Sequence, residues 1–222
     1  MNFTFLILFI LGALVTPLIF AQQTVLNAIQ KKEEIARQTT RTTGQRDVAK
    51  YFIAVAPGVI KDTHTGLEWM RCSLGQNWSE TAKTCEGRVN AYDKGTADEM
   101  VKALNKAGGY AKHTDWRIPS VRELASLRYC SAGFGLVEKN IQDGKGTIPK
   151  ICEISNKDTR ATISPTVFPN TTTNAWYWTN SRYVGLAGGA WIIDFSTGDI
   201  DRDTFHSFGA VRLVRALSRW NG

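Results

Sequence analysis

Three aspartates close to the C-terminus have the spacing of a ligand group. Asp199, Asp201 and Asp203 are two residues apart, which would place their side chains on one face of a strand. Their carboxylate oxygens match the preference of a hard cation such as calcium. A solvated acidic edge without metal is the favoured interpretation, so calcium is a secondary prediction and no other cofactor is expected.

A polar surface for ligand binding is predicted beside these aspartates, in loops between residues 180 and 209. Taken singly, each of its members is more often an ordinary exposed loop residue. The residues predicted to bind a ligand are Arg182, Tyr183, Asp201, Asp203 and His206.

The sequence lacks the residue patterns that are typical of catalysis. No nucleophile stands beside a base, no pair of carboxylates has catalytic spacing, and the three histidines are scattered. No catalytic residue is predicted, and we expect that the protein is not an enzyme.

The four cysteines predict two disulfides, because an even number in an exported chain is typical of an oxidising compartment. Sequential pairing, Cys72 with Cys85 and Cys130 with Cys152, is the simplest of three connectivities, since each pair flanks one short loop. A zinc site is disfavoured because the sequence has no C-x-x-C pair.

Export is predicted from the N-terminus, where residues 3–20 carry no charge and are almost wholly apolar. Cleavage after Ala21 is favoured, and an uncleaved membrane anchor is the close alternative. The predicted divisions are residues 1–21 as leader or anchor, 22–50 as helical and polar linker, and 51–222 as the domain. The expected location is the periplasm, the cell surface or the medium, or the inner membrane if the anchor is retained.

The net charge of +7 favours anionic partners. Nucleic acid is not expected, because export removes the chain from it and no recognition motif is present. The basic residues that would meet an anionic polymer are peripheral lysines, namely Lys94, Lys102, Lys106, Lys112 and Lys139.

Two capped helices are predicted in the middle of the chain. Ser120 and Glu123 have the spacing of a capping box, and apolar residues follow at helical intervals. Thr96 and Glu99 repeat this spacing, and Gly108 marks the end of the second pattern. Trp116 is predicted to cover the seam between strand and helix.

Strands are predicted on both sides of these helices. Residues 59–62 and 67–70 form a hairpin pattern with Gly66 in the turn. The last third is predicted to be a four-stranded antiparallel meander, with strands at 176–179, 190–195, 200–204 and 210–215. The expected class is α+β with segregated elements and disulfide-tied loops.

Buried cations are expected at the end of the chain. Arg212 and Arg215 alternate with apolar residues, so they are predicted to pair with a carboxylate such as Asp194 or Glu123. The same role is expected for Arg117.

Several motifs occur in a fixed order along the chain. They are Asp62-x-x-Thr65-Gly66-Leu67-x-Trp69, Asp115-Trp116-Arg117-Ile118-Pro119-Ser120, Tyr177-Trp178-Thr179 and Val211-Arg212-Leu213-Val214-Arg215. With these motifs the sequence resembles, from about residue 58 to 215, the Lcl C-terminal domain family, named for the terminal domain of a collagen-like bacterial adhesin. The resemblance implies an exported bacterial domain with a C-type-lectin-like fold, and an association with sulfated glycosaminoglycans and trimers. This chain departs from the family by having no collagen repeats and by an expanded region between Cys130 and Cys152.

Two functions of different classes are expected from these observations. The first is an adhesin-like binding module at the bacterial surface or in the periplasm, which recognises an anionic, sulfated glycan or a partner protein. The second is a structural subunit, anchored by residues 3–20, in an envelope or pilus-type assembly. Either protein could form oligomers.

Overall fold

The computed structural model describes residues 25–32, 48–130 and 162–216, together with Gln23, 141–142, 147–148 and Cys152. The chain divides into two compact units, Met1–Gly44 and Gln45–Gly222. In the first unit, residues 25–32 form helix α1, which exposes Val25, Leu26 and Ile29. The predicted leader lies outside the described residues. None of the helices in the described part of the chain has the length and apolar character needed to cross a membrane.

The first sheet of the second unit has four antiparallel strands in the order β1-β2-β3-β11. A 3-10 turn at Val48–Tyr51 leads into the sheet. The predicted hairpin is confirmed as β2 and β3, and Gly66 in its turn has a φ of +74°. The strands are β1 (Phe52–Ala56), β2 (Val59–Asp62), β3 (Leu67–Met70) and β11 (Val214–Ala216).

The second sheet has three antiparallel strands in the order β10-β9-β8. Two short hairpins, β4 with β5 and β6 with β7, complete the described strands. Strands of the second sheet are β8 (Tyr177–Arg182), β9 (Gly189–Ile193) and β10 (Ile200–Thr204); those of the hairpins are β4 (Asn77–Ser79), β5 (Thr84–Glu86), β6 (Ile141–Gln142) and β7 (Thr147–Ile148).

The predicted meander is wrong at its last strand. Three of its strands form the second sheet, but β11 pairs with β3 of the first sheet, with Val214 opposite Trp69. The segment before β11 passes between the sheets, because Ala210 bonds with the backbone on both sides of Tyr177. Val214 then exchanges two backbone hydrogen bonds with Arg117. The final segment therefore joins both sheets.

Helix α3 (Val121–Ala125) has the predicted capping box, since the Ser120 hydroxyl accepts from the Glu123 backbone and the Glu123 carboxylate accepts from the Ser120 backbone. Helix α2 (Lys94–Lys106) begins earlier than predicted. Its N-cap is Asp93, whose carboxylate accepts from both the N–H and the hydroxyl of Thr96. Thr96 is thus a partner of the cap and not the cap itself.

Two apolar clusters cover the two faces of the second sheet. One cluster contains Tyr177 and Ile193, and the other contains Trp178 and Ile192. Consecutive residues of β8 and β9 point to opposite faces, so each strand contributes to both clusters. Trp116 belongs to the second cluster and is 1% exposed. Helix α3 packs in the first cluster and α2 in the second. Antiparallel sheets with helices packed against them, fastened by disulfides, make this an α+β structure.

The disulfides have the sequential connectivity, Cys72 with Cys85 and Cys130 with Cys152. The first joins the end of β3 to β5 and so fastens the β4–β5 hairpin to the first sheet. Closing a short loop in this way removes on the order of 3 kcal/mol of loop entropy from the unfolded chain.

The buried arginines have partners that differ from the predicted ones. Arg215 pairs with Glu68 and, at 2.8 Å, with Asp115. Arg212 has no carboxylate partner among the described residues and is held by backbone carbonyls and hydroxyls. These partners differ because β11 lies beside β3, where Glu68 is directly opposite Arg215. The expectation for Arg117 is confirmed, since it forms a forked pair with Glu123 at 2.6 and 2.8 Å.

Candidate functional site

A cleft of about 460 Å³ opens between the loop that joins β8 to β9 and the end of β10. It combines one cationic side chain with aromatic and aliphatic walls. The lining residues are Arg182, Tyr183, Val184, Leu186, Ala187, Gly188, Gly189 and Phe205.

The β8–β9 loop is held in shape by its own backbone. Tyr183 N–H donates to Gly189 O at 2.9 Å, and Gly189 N–H donates to Leu186 O at 2.9 Å. A Cβ on Gly185 would lie 2.7 Å from the Tyr183 ring, so the glycine lets the loop lie close against that ring. Gly188 has a φ of +66°, a conformation that other residues rarely adopt. The loop wall of the cleft is thus shaped by these hydrogen bonds without any ligand.

The opposite wall is Phe205, which follows β10. Its N–H donates to Gly188 O at 2.7 Å, which closes the wall against the loop. Its carbonyl accepts from Lys94 N–H at 2.9 Å, so the start of α2 supports the cleft from outside. The Lys94 side chain is only 7% exposed and pairs with Asp98 at 2.7 Å. Lys94 was predicted to be a peripheral cation, and this is wrong because its side chain is buried and already paired with Asp98.

Tyr183 is fixed by contacts on two sides. Its ring meets Trp191 edge to face, with 4.8 Å between the ring centres. The Arg202 guanidinium lies 5.3 Å from the centre of the Tyr183 ring, within the range of a cation–π contact. Arg202 is itself oriented by Asp201 at 3.1 Å. These contacts give the ring one orientation along the cleft.

Arg182 is exposed at the rim of the cleft, and no carboxylate among the described residues pairs with it. It differs in this from Arg117, Arg202 and Arg215, each of which has an acidic partner. An unpaired guanidinium keeps all of its donors available, in a planar fork that suits carboxylate, sulfate or phosphate groups. Arg182 is therefore the cleft residue whose donors are free to bind an anion.

The aspartates have other roles than the predicted ones. Asp201 accepts from the backbone N–H of Arg202, and Asp203 accepts from the N–H of Thr204 and from the Ser207 hydroxyl. Neither aspartate lines the cleft. Both carboxylates instead satisfy backbone donors along β10, the outer strand of its sheet.

The predicted cation site is not assembled. Asp199 lies near the buried Arg128, whose pKa burial lowers to about 10 while the Asp199 charge opposes that shift. No group of three or more His, Cys, Asp or Glu side chains within the described ranges is placed to hold a metal ion. His206 is exposed in the turn after β10 and does not line the cleft.

The cleft lies within the predicted loops, but its apolar walls were not predicted. Val184 is fully exposed and Leu186 is 37% exposed, and Phe208 nearby is 69% exposed. The sequence signal that could have predicted these walls is the set of apolar residues in the glycine-rich segment 184–189, between two predicted strands. Of the predicted lysines, Lys102, Lys106 and Lys112 are exposed but do not line the cleft, and Lys139 lies outside the described residues.

The structure defines an α+β domain, fastened by disulfides, that presents a preformed cleft with a single free cation. The match to the Lcl C-terminal domain covers residues 58–215, and the chain therefore belongs to that family. The matched range begins just before β2 and ends in β11, so it contains the second sheet, the first sheet without β1, and all residues that line the cleft. No curated protein matches the chain.

Proposed function

We propose that this domain is a non-catalytic binding module that holds an anionic glycan in the cleft between the β8–β9 loop and Phe205. The observation that carries the proposal is the unpaired Arg182 at the rim of a cleft with aromatic walls. A sulfate or carboxylate group of the glycan accepts from the Arg182 fork. The apolar face of the adjoining sugar ring packs against Tyr183 and Phe205.

Charge and rigidity both support this function. The net charge of +7 draws anionic polymers to the surface before a specific contact forms. Because the walls are already in place, binding does not have to order the loop, and less of the contact energy is lost. The ligand thus meets a site that needs little rearrangement.

A C-type-lectin-like fold is part of the proposal. The first and last strands of the domain share one sheet, and the loops of the second sheet carry the cleft. We place the domain outside the bacterial cytoplasm, at the surface or in the periplasm, with an adhesin-like role. The two disulfides accord with an oxidising compartment.

A partner protein is the second candidate, because the cleft is bordered by exposed apolar side chains. Val184 is 100% exposed and Phe208 is 69% exposed. Exposed apolar surface of this kind is typical of contacts with other proteins, and a purely polar ligand would not need it. In this alternative the chain is a membrane-anchored structural subunit, and Arg182 receives a carboxylate of the partner.

Binding of the full chain to heparin, and to neutral glycans for comparison, tests the glycan proposal at two salt concentrations. We expect saturable heparin binding that weakens with salt, because exposed charges are screened. Arg182→Ala should weaken heparin binding about tenfold, since hydrogen bonds to charged groups contribute about 1.5–3 kcal/mol.

The matched control is Arg88→Ala, which removes the same charge from an exposed residue outside the cleft. It should change heparin affinity much less than Arg182→Ala does. Equal losses in the two variants would mean that only net charge matters. Absence of binding to every glycan would contradict the proposal and favour the partner protein.

A further inference from the structure

Three of the four outer strand edges in the two sheets are protected. The edge of β8 is covered by Ala210, which bridges to Tyr177. The edge of β11 is covered by the two backbone bonds between Val214 and Arg117. On β10, aspartate side chains occupy the N–H groups of Arg202 and Thr204. Such devices prevent strands from pairing with other chains.

The outer edge of β1 has none of these protections among the described residues. Thr63 N–H donates to Tyr51 O, and Ile53 lies opposite Lys61 in the same ladder. Hydrogen-bonded pairs recur at every second residue of an antiparallel ladder, so Ile53 directs its backbone groups toward β2. Phe52 and Ala54 therefore direct theirs away from the sheet.

The side chains of β1 are also unusual for an edge. The strand Phe52–Ala56 contains no charged residue, whereas natural edges commonly carry lysine or other charges. Ile53 is 50% exposed and Val55 is 43% exposed. An open backbone edge and exposed β-branched side chains coincide on one short strand.

We propose that β1 is the contact through which two copies of this chain pair, antiparallel, about a two-fold axis at Ile53. A second copy supplies the same open, uncharged strand edge, and β1 is the outer edge of the two described sheets that combines both properties. A two-fold contact needs a surface that complements itself, and an apolar antiparallel strand does so. The proposal does not depend on the ligand of the cleft.

The geometry of this pair follows from the ladder. Phe52 of each copy lies opposite Ala54 of the other, and these residues exchange the outward backbone bonds. Ile53 then faces Ile53 of the second copy in a non-hydrogen-bonded position, where the Cα atoms are about 4.5 Å apart. The two four-stranded sheets become one sheet of eight strands.

The contact is short, because the register shift between Ala54 and Ala56 leaves Val55 outside the ladder with β2. Few backbone bonds and little apolar area are then shared, which is typical of weak assemblies. We expect a dimer whose population rises with protein concentration.

Analytical ultracentrifugation of the full chain over a wide range of concentrations tests the proposal. Wild type should pass from monomer to dimer, and Ile53→Lys should stay monomeric because it places two ammonium groups opposite each other. The matched control is Met100→Lys, since Met100 is a similarly exposed apolar residue, at 42%, on α2. That variant should dimerise as wild type does.

A second variant covers the case that Ile53→Lys fails to fold. Ile53→Cys should form a disulfide-linked dimer under mild oxidation, because cysteines at this separation meet the geometry of a disulfide. Met100→Cys should not cross-link under the same conditions. A wild type that is monomeric throughout, a dimer that Ile53→Lys leaves unchanged, or an Ile53→Cys protein that does not cross-link would overturn the proposal.

Discussion

Two buried arginines in the last segment show how single residues hold this fold together. Arg215 is neutralised by Glu68 and Asp115, and the Arg215 hydrogen bond lowers the pKa of the Asp115 carboxyl. Arg212 is 1% exposed and relies on carbonyls, on Thr171 Oγ1 at 2.7 Å, and on the ring of Phe168 at 4.7 Å. Burial lowers the pKa of its guanidinium. Arg215 is thus stabilised by carboxylates, whereas Arg212 is stabilised by neutral hydrogen-bond acceptors and an aromatic ring.

Arg212→Ala should be strongly destabilising. Truncation leaves the carbonyls of Met70 and Arg71 without their donor and opens a cavity beside Phe168. We expect a loss of about 3 kcal/mol in the free energy of unfolding, measured by urea denaturation. The control Arg88→Ala, at an exposed site, should stay within about 0.5 kcal/mol of wild type. Similar values for the two variants would show that the Arg212 cage contributes little.

The burial of these arginines was predictable, but their partners were not. Val211 and Leu213 have one parity in this segment and Val214 has the other, so apolar residues fall on both faces and indicate a strand that is buried on both sides. Which carboxylate a buried arginine meets depends on the neighbouring strand, and that strand, β3, is more than a hundred residues away in the sequence. The pair Arg117 and Glu123 was easier to predict because both lie in one local motif.

At the scale of elements, α3 shows how one residue serves a helix and an ion pair together. The Glu123 carboxylate accepts from Ser120 N–H at 2.8 Å and from both terminal nitrogens of Arg117. Burial alone would raise the pKa of this carboxyl, but the bonds from Arg117 and Ser120 outweigh it and hold the pKa below 4.5. The start of α3 therefore depends on an ionised Glu123.

The stability of the domain should fall in acid partly through this group. A carboxyl with a lowered folded-state pKa stabilises the fold above its unfolded pKa of 4.5, and this contribution is lost as the pH falls through the folded value. Glu123→Gln keeps a capping side chain but does not titrate. At neutral pH we expect it to cost about 1 kcal/mol, a modest value because the Arg117 side chain is 41% exposed.

Urea denaturation of wild type and Glu123→Gln at a series of pH values measures this effect. The two stability curves should differ near neutral pH and converge below pH 4.5. A constant gap between them at every pH would show that the charge of Glu123 does not contribute. Asp115 and other carboxylates titrate in both proteins, so their effect cancels in the difference.

The elements themselves differed in how well the sequence predicted them. The α3 cap and the β2–β3 hairpin depend on contacts within a few residues, so their patterns were sufficient. The α2 cap was misplaced because Asp93 and Thr96 are both residues that cap helices, and only the structure shows which one accepts. The partner of β11 is a long-range choice that strand patterns do not encode.

At the scale of the whole molecule, two sheets joined by the final segment present one cleft. The predicted ligand loops contain it, and Arg182 and Tyr183 do line it. The other predicted residues belong to β10 or its turn, where the aspartates bond to their own backbone. An outer strand needs polar side chains to protect its own edge, and Asp201 and Asp203 have this role on β10.

Hydrogen exchange of the full chain with and without a heparin oligosaccharide tests the central claim directly, since it locates the ligand. The account predicts slower exchange at residues 183–189 and at Phe205, where the cleft walls lie. Exchange in β1–β3 should stay the same. Protection centred instead on α2, which carries Lys102 and Lys106, would contradict the account and assign binding to the peripheral lysines.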